Sequence, residues 1–316
     1  MSPPAGFVKP PPEGSDLLRG VHRFAHKAMS TIFEAFVGEG DAQYARQAAQ
    51  AAFEEVDRLE TDLSRFNPAS DISHINQLAA GKAIRVGLDT FECLRVARRV
   101  WQDTGGAFDV TVGRLYDLWK PKDGKPASPT PEELAAARAA TGMRHVHLDE
   151  KEHAVGVWVD GIRLDLGAIG KGYAVDRMAA VLAEWNLATW MVHGGESTVL
   201  AGGPPPGQPG WRISVGDPEA GGRPLRTVVL AGRALSGSSL APAKPILDPR
   251  IGRPASANVA AWSLCAKATE ADALSTAFLV LAADEVAEYC RKHTDAAGMV
   301  KTAGSGEDRL RAFGAW

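Results

Sequence analysis

Two periods govern the apolar positions of this chain, and the switch between them marks its elements. Alternation with period two runs through Val21–Ala28 and Thr31–Val37, which predicts two successive strands. Beyond Asp41, a candidate N-cap, the apolar residues recur at helical spacing. Ala45, Ala48, Ala49, Ala52, Phe53, Val56, Leu59 and Leu63 form one stripe and predict a long amphipathic helix. A polar turn, S-R-F-N-P-A-S-D-I-S-H-I-N, then leads into a short helix capped by Ser70. Gly81–Val86 reads as a strand, and Asp89 caps a second helix that runs through Trp101 and ends at Gly105-Gly106. A helix holding Trp119 comes next, then a linker over Pro121–Thr130. Thr130, Pro131 and Glu133 form a capping box ahead of an alanine-rich helix.

The second half is richer in strands. His145–Leu148, Ala154–Val159 and Ile162–Leu166 read as successive strands. A turn with Gly167, Gly170 and Gly172 follows. It opens a helix with Val175, Met178, Ala179, Leu182 and Trp185 on one face. Strands are predicted near Trp190–Val192, Thr198–Leu200, Trp211–Val215, Arg226–Leu230 and Ala257–Ala266, with a proline/glycine loop at 202–210. Thr269 is placed to cap a helix over Glu270–Leu281, and a further helix and one or two strands close the chain. Strands cluster between helices without a regular βαβ rhythm, so the fold class is α+β. Residues 1–19 are proline-rich and read as a disordered lead-in, and 20–316 as a single domain.

Composition excludes more than it selects. The 316 residues are 45% hydrophobic and 23% charged, as in an ordinary globular protein. A net charge of -3 leaves no electrostatic footprint for nucleic acid. Cys93, Cys265 and Cys290 are far apart with no CxxC pair, which argues against a zinc site or a disulfide framework. No apolar run is long enough for a transmembrane segment, and the first residues lack the apolar core of a signal peptide. As written, the sequence suggests a cytoplasmic protein, or a periplasmic one if a leader has been removed.

Five stretches carry candidate chemistry. In L-D-L-G-A-I-G-K-G-Y-A-V, residues 164–175, glycines let backbone approach a ligand, and the amides of a helix start favour phosphate. The same turn holds Asp165 and Lys171; a buried strand with an ordinary tight turn is the plainer reading. In A-D-A-L-S-T-A, residues 271–277, Asp272 and Thr276 share one helix face and present oxygens suited to a hard cation. Asp272 also stands three residues after Thr269 and fits a capping-box acid. D-P-R-I-G-R-P, residues 248–254, is a turn whose Arg250 and Arg253 suit phosphate or simply face solvent. G-G-A-F-D-V-T-V-G, residues 105–113, suits close approach to a planar ligand, or a helix end followed by core. His193 precedes the glycine turn of H-G-G-E, residues 193–196.

With M-S-T (29–31), the polar turn at 64–76 and S-G (236–237), these stretches lie in an order that resembles the FAD:protein FMN transferase family, the ApbE-like flavin transferases, over roughly residues 24–300. The resemblance implies T-fold-like sheets flanked by helices, with a ligand cleft between two halves. It implies that FAD and Mg²⁺ are bound and that FMN passes to a threonine hydroxyl of a flavin-accepting redox protein, releasing AMP. Splitting a pyrophosphate requires charge neutralisation on its oxygens, which a magnesium ion supplies. Carried onto this chain, the metal ligands are the side chains of Asp272 and Thr276 and the backbone carbonyls of Ala168 and Ser275. Met29, Phe66, Ala107, Phe108, Asp109, Asp165 and Lys171 fall where the family contacts FAD, and Asp248 and Arg250 of the D-P-R turn are further cofactor-binding candidates. Lys171 is also a catalytic candidate, balancing ligand charge. One position departs from the family, which usually reads H-I-I-D-P-R-T-G where this chain has P-I-L-D-P-R-I-G. Pro245 thus replaces the expected general base, and His193 is the replacement base that the sequence suggests. Without a base, FAD hydrolysis to FMN and AMP, or FAD binding with little turnover, are the alternatives.

Overall fold

The computed structural model of the chain describes residues 8–9, 20–38, 41–121, 127–216, 224–241, 245–303 and 309–316. The first half contains strands β1 (Val8–Lys9), β2 (His22–Ala28) and β3 (Thr31–Val37), helices α1 (Ala42–Leu63) and α2 (Asp71–Ile75), and strand β4 (Ala83–Arg85). Helices α3 (Leu88–Asp103), α4 (Gly113–Trp119) and α5 (Pro131–Ala139) follow, then strands β5 (Val146–Asp149) and β6 (Ala154–Val157) and helix α6 (Gly170–Glu184). Seven strands come next: β7 (Trp190–Gly194), β8 (Thr198–Ala201), β9 (Trp211–Gly216), β10 (Pro224–Leu230), β11 (Ala234–Ser239), β12 (Leu247–Asp248) and β13 (Arg253–Pro254). The chain closes with β14 (Ala260–Cys265), α7 (Ala268–Val280), α8 (Ala283–Lys292), β15 (Ala297–Lys301) and β16 (Leu310–Phe313).

An eight-stranded sheet in the order β16-β15-β14-β11-β8-β7-β3-β2 organises this α+β fold. Its neighbours pair antiparallel. Side chains alternate across such a sheet, so each strand serves two faces. Phe33, Ala35, Val192 and Ala261 pack with the apolar stripes of α1, α6 and α7. Phe36, Met191, Val199, Leu235 and Trp262 face the other way, where Trp211 and Ile213 of β9 cover them. The stripe predicted for α1 is buried as expected, from Ala45 to Leu63. Among the described residues no helix is long and apolar enough to cross a membrane.

Local expectations hold where the hydrogen bond is local. Ser70 accepts the Ser73 amide at 3.0 Å, and the Thr130–Glu133 capping box forms in full. Three expectations are corrected. Asp89 lies in the first turn of α3 rather than at its cap, and its carboxylate binds Arg58 and Tyr173. Ile162–Leu166 is not a strand, although its side chains alternate in burial. The Asn76 side chain takes both backbone groups of Leu164, donating to its carbonyl at 3.1 Å and accepting its amide at 2.6 Å, and pairing is limited to a single parallel bridge between Arg163 and Val112. Thr269 does not cap α7; its amide and hydroxyl both donate to Asp176 of α6. Within the expected lead-in, Val8–Lys9 pair with β9 as an added strand. Its remaining residues, and 122–126 of the expected linker, lie outside the described residues.

Candidate active site

The start of α6 is built by loops that borrow side chains. Asp165 Oδ1 accepts the Gly167 amide at 2.8 Å, and the Gly170 amide closes onto the Leu166 carbonyl at 2.7 Å. Helix α6 therefore begins beside an acid turn, with no side-chain cap at Ile169. The Gly172 amide, which would otherwise close onto the Ala168 carbonyl, donates to Asp272 Oδ2 at 2.9 Å. Glycine is required there. A Cβ at position 172 would stand 2.3 Å from the Ala268 carbonyl oxygen and 2.7 Å from Asp272 Cβ, so α6 and α7 touch through bare backbone.

Asp272 is 3% exposed and lies under a shell of hydroxyls. Its Oδ1 lies 3.3 Å from Thr198 Oγ1 and 3.5 Å from Ser236 Oγ, and those hydroxyls are 2.9 Å from each other. Ser238 Oγ adds contacts of 2.8 Å to Ser275 Oγ and 3.2 Å to Thr276 Oγ1. Lys171 Nζ is 3.6 Å from Asp272 Oδ2 and donates to the Gly167 carbonyl at 3.2 Å. The structure thus brings Lys171, Asp272, Ser275 and Thr276 together, as the sequence predicts. It adds Thr198, Ser236 and Ser238, which only strand register reveals. Thr198 opposes Ser236, and Ser236 opposes Ser263, so one polar row of the sheet faces α7. The sole sequence signal for any of the three was the S-G pair at 236–237.

This arrangement is an oxygen-donor site beside a cation and a helix start. Among the described residues no three His, Cys, Asp or Glu side chains gather to hold a metal. A single carboxylate with hydroxyls fits a hard ion that draws its other ligands from water and substrate phosphates, in the manner of Mg²⁺. It does not fit a zinc centre. Burial first, and then the Asp272 charge, push the Cys93 thiol far up.

The other predicted residues divide by what their side chains already do. Phe66 is 78% exposed and lines an open hollow of about 120 Å³ with Arg65, Asn76, Asp117 and Arg163. The Arg65 guanidinium lies over the Phe66 and Tyr116 rings and pairs with Asp117 at 2.9 Å and Asp165 at 3.1 Å. Asp165 therefore ties the hollow to the α6 turn. Met29 has a φ of 48° in the β2–β3 turn, and that hairpin meets the G-G-E turn where the Gly195 amide donates to the Ile32 carbonyl.

Ala107 and Phe108 are core residues, 1% and 2% exposed, so their side chains form no ligand wall. The Asp109 carboxylate is consumed locally. It accepts from the Thr111 amide and hydroxyl on Oδ1 and from the Met143 amide on Oδ2. Its burial still raises its pKa against those bonds. Asp248 and Arg250 chiefly hold each other, through Nε to Oδ1 at 3.0 Å and Nη2 to Oδ2 at 2.9 Å, while the Arg250 carbonyl accepts from Arg138.

His193 does not join the site. Its β8 partner is Val199 and its β3 partner is Glu34. Val199 packs on the β9 side of the sheet, whereas a Cβ at the next residue, Gly194, would meet Val175 of α6 at 2.9 Å. His193 therefore points to the face opposite Asp272. It is 1% exposed, with Nδ1 3.6 Å from the Glu34 carboxylate that Arg23 also holds. A base role at the Asp272 cluster is excluded by the two-residue period of β7.

The sequence matches the ApbE family over residues 29–300. A FAD:protein FMN transferase of Salmonella typhimurium is 27% identical over 295 residues, 89% of this chain and 84% of that protein. One from Vibrio cholerae serotype O1 is 30% identical over 244 residues, 72% of each. The ApbE protein of Thermotoga maritima superposes with a TM-score of 0.82 at 27% identity, covering 93% of this chain and 97% of that one. The apo flavinyl transferase ApbE of Pseudomonas stutzeri shares the fold, with a TM-score of 0.79 at 24% identity over 93% of this chain and 95% of that one. The chain belongs to the ApbE family, a family of FAD:protein FMN transferases.

Proposed function

We propose that this ApbE-family chain moves the FMN half of FAD to a threonine hydroxyl of a flavin-accepting redox protein and releases AMP, with Mg²⁺ required. The threonine oxygen bonds to the flavin-side phosphorus, the bridging P–O bond breaks, and AMP leaves with the bridging oxygen. The hydroxyl proton passes to water. The observation that carries this reading is the buried Asp272 carboxylate, set under Thr198, Ser236, Ser275 and Thr276 beside Lys171 and the start of α6. Asp272 and Thr276, with backbone carbonyls at Ala168 and Ser275, would hold the ion, which neutralises charge on the pyrophosphate when bound. Lys171 and the positive end of the α6 dipole favour the same phosphates. Phe66 offers an exposed ring for stacking against a planar ring of FAD.

Pro245 supports a second reading. Proline cannot accept a proton, and no histidine replaces it from β7, so water competes with threonine for the phosphorus. General-base help is worth about 10²–10⁴ in rate, and its absence favours slow transfer or FAD hydrolysis. One incubation separates these outcomes. Protein, FAD, Mg²⁺ and a threonine-bearing acceptor domain are combined and followed by mass spectrometry. Acceptor heavier by one FMN with matching AMP is the expected result. AMP with only free FMN identifies a hydrolase, and intact FAD held by the protein identifies a binder.

A further inference from the structure

Helices α6 and α7 are joined by two polar rungs one helical turn apart, and only one of them lies in the site. The first joins the Gly172 amide to Asp272 Oδ2 at 2.9 Å. The second starts at Asp176, four residues further along α6 and so on the same face. Asp176 Oδ1 accepts the Ala268 amide at 2.9 Å, and Oδ2 accepts the Thr269 amide at 2.9 Å and the Thr269 hydroxyl at 2.5 Å. Ala268 is four residues before Asp272. The rungs 172–272 and 176–268 therefore set the helices antiparallel in a fixed register, with Gly172 as the point of backbone contact.

The second rung does the capping that α7 cannot do for itself. Its N-cap is Lys267, which makes no side-chain cap bond, and a helix start leaves its first amides unsatisfied. A carboxylate from α6 satisfies two of them and places a negative charge at the positive end of α7. The consequence reaches Asp272. Asp272 is the fifth residue of α7, one turn beyond the amides that Asp176 holds, so fixing that first turn also fixes where the Asp272 carboxylate meets the Gly172 amide, the hydroxyl shell and Lys171.

We propose that Asp176 is a positioning residue, which through the Ala268–Thr269 turn holds the Asp272 carboxylate against the start of α6. It touches neither substrate nor any reacting atom. The kinetic part rests on the proposed transfer at Asp272; the structural part does not.

The test uses the full chain with Asp176→Asn and Asp176→Ala, and reads the Gly172 amide by NMR without metal or FAD. Asparagine keeps one acceptor but cannot accept both amides and the hydroxyl. The expected result is a shifted Gly172 resonance with at least tenfold faster hydrogen exchange, while the amide of Trp262 in the opposite-face core keeps its protection. Transfer falls at least tenfold, with the FAD dissociation constant within twofold of wild type. Thr130→Ala removes a cap of the same kind from α5, remote from this pair of helices, and is expected to leave Gly172 unmoved. An unchanged Gly172 amide in folded Asp176→Asn overturns the proposal. Equal loss of protection at Gly172 and Trp262 also overturns it, because it marks a general stability role. A Gly172 shift as expected in a protein whose wild type forms no FMN-acceptor product sustains the positioning role and overturns the transfer reading instead.

Discussion

Two buried polar groups lie on opposite faces of the same sheet, and they differ in what they can reach. On the helix face, Asp272 meets a row of hydroxyls from β8 and β11 and a lysine from α6. On the other face, Glu34 and His193 meet each other and Arg23 beneath the cover of β9 and β10. Both are nearly sealed from solvent, so burial alone does not distinguish a site from a structural ion pair. The helix face ends at bare backbone and the positive end of a helix, which favours an anion. The opposite face ends in apolar core, where a charge must be matched by the protein itself. A polar residue therefore joins the chemistry by virtue of its parity in the strand.

The sharpest way to break this contrast is Asp272→Ala. Transfer is expected to fall by at least about 100-fold, read as AMP release and as acceptor mass, because this carboxylate anchors the charge at the site. Gly172→Ala comes next. Its Cβ has no room against the Ala268 carbonyl, so α6 and α7 must part, at a cost of about 3 kcal/mol in urea unfolding together with loss of transfer. His193→Ala is expected to do the opposite. It leaves the buried Glu34 short of a partner and costs about 1–3 kcal/mol of stability, while the transfer rate stays within about twofold of wild type. A large rate loss with unchanged stability would place His193 back in the site.

The smallest effect is expected where α1 meets α6, away from both polar groups. Arg58 first, against the cost of burial, and then Arg177 hold the Glu55 carboxyl below its ordinary value of 4.5. A lowered folded-state pKa stabilises the native protein fully above the unfolded value, and that stability is lost as the pH falls below it. Glu55→Gln should therefore cost about 1 kcal/mol or less at neutral pH, and the gap from wild type should close on acidification. Urea midpoints between about pH 3 and 6 measure this. A gap that widens in acid would reverse the sign assigned to Glu55.

Much of this was legible because it is local. The buried stripe of α1, the Ser70 cap and the Thr130 capping box each depend on residues within one or two helical turns. Asp272 and Thr276 share a helix face for the same reason, and the order of the motifs sufficed to reach the family. Ile162–Leu166 misled because alternation reports which side chains are buried, whereas a ladder needs a partner strand. Here Asn76 takes both backbone groups of Leu164, and the pairing is limited to a single parallel bridge between Arg163 and Val112. Ala107, Phe108 and Asp109 lie in a stretch that resembles a flavin-transferase motif, yet their side chains serve the core and the loop.

The sequence by itself determined the helices, most strands, the family and the pairing of an acid with a threonine on one face of α7. Only the tertiary structure decided that Thr198, Ser236 and Ser238 complete the shell and that Asp176 takes the cap of α7. It also decided that His193 points away. The physical reason is range. Periodicity and capping are fixed by neighbours a few residues apart. The register of strands distant in the chain, and the contact of two helices through a bare glycine, exist only once the whole sheet has been assembled and its faces assigned.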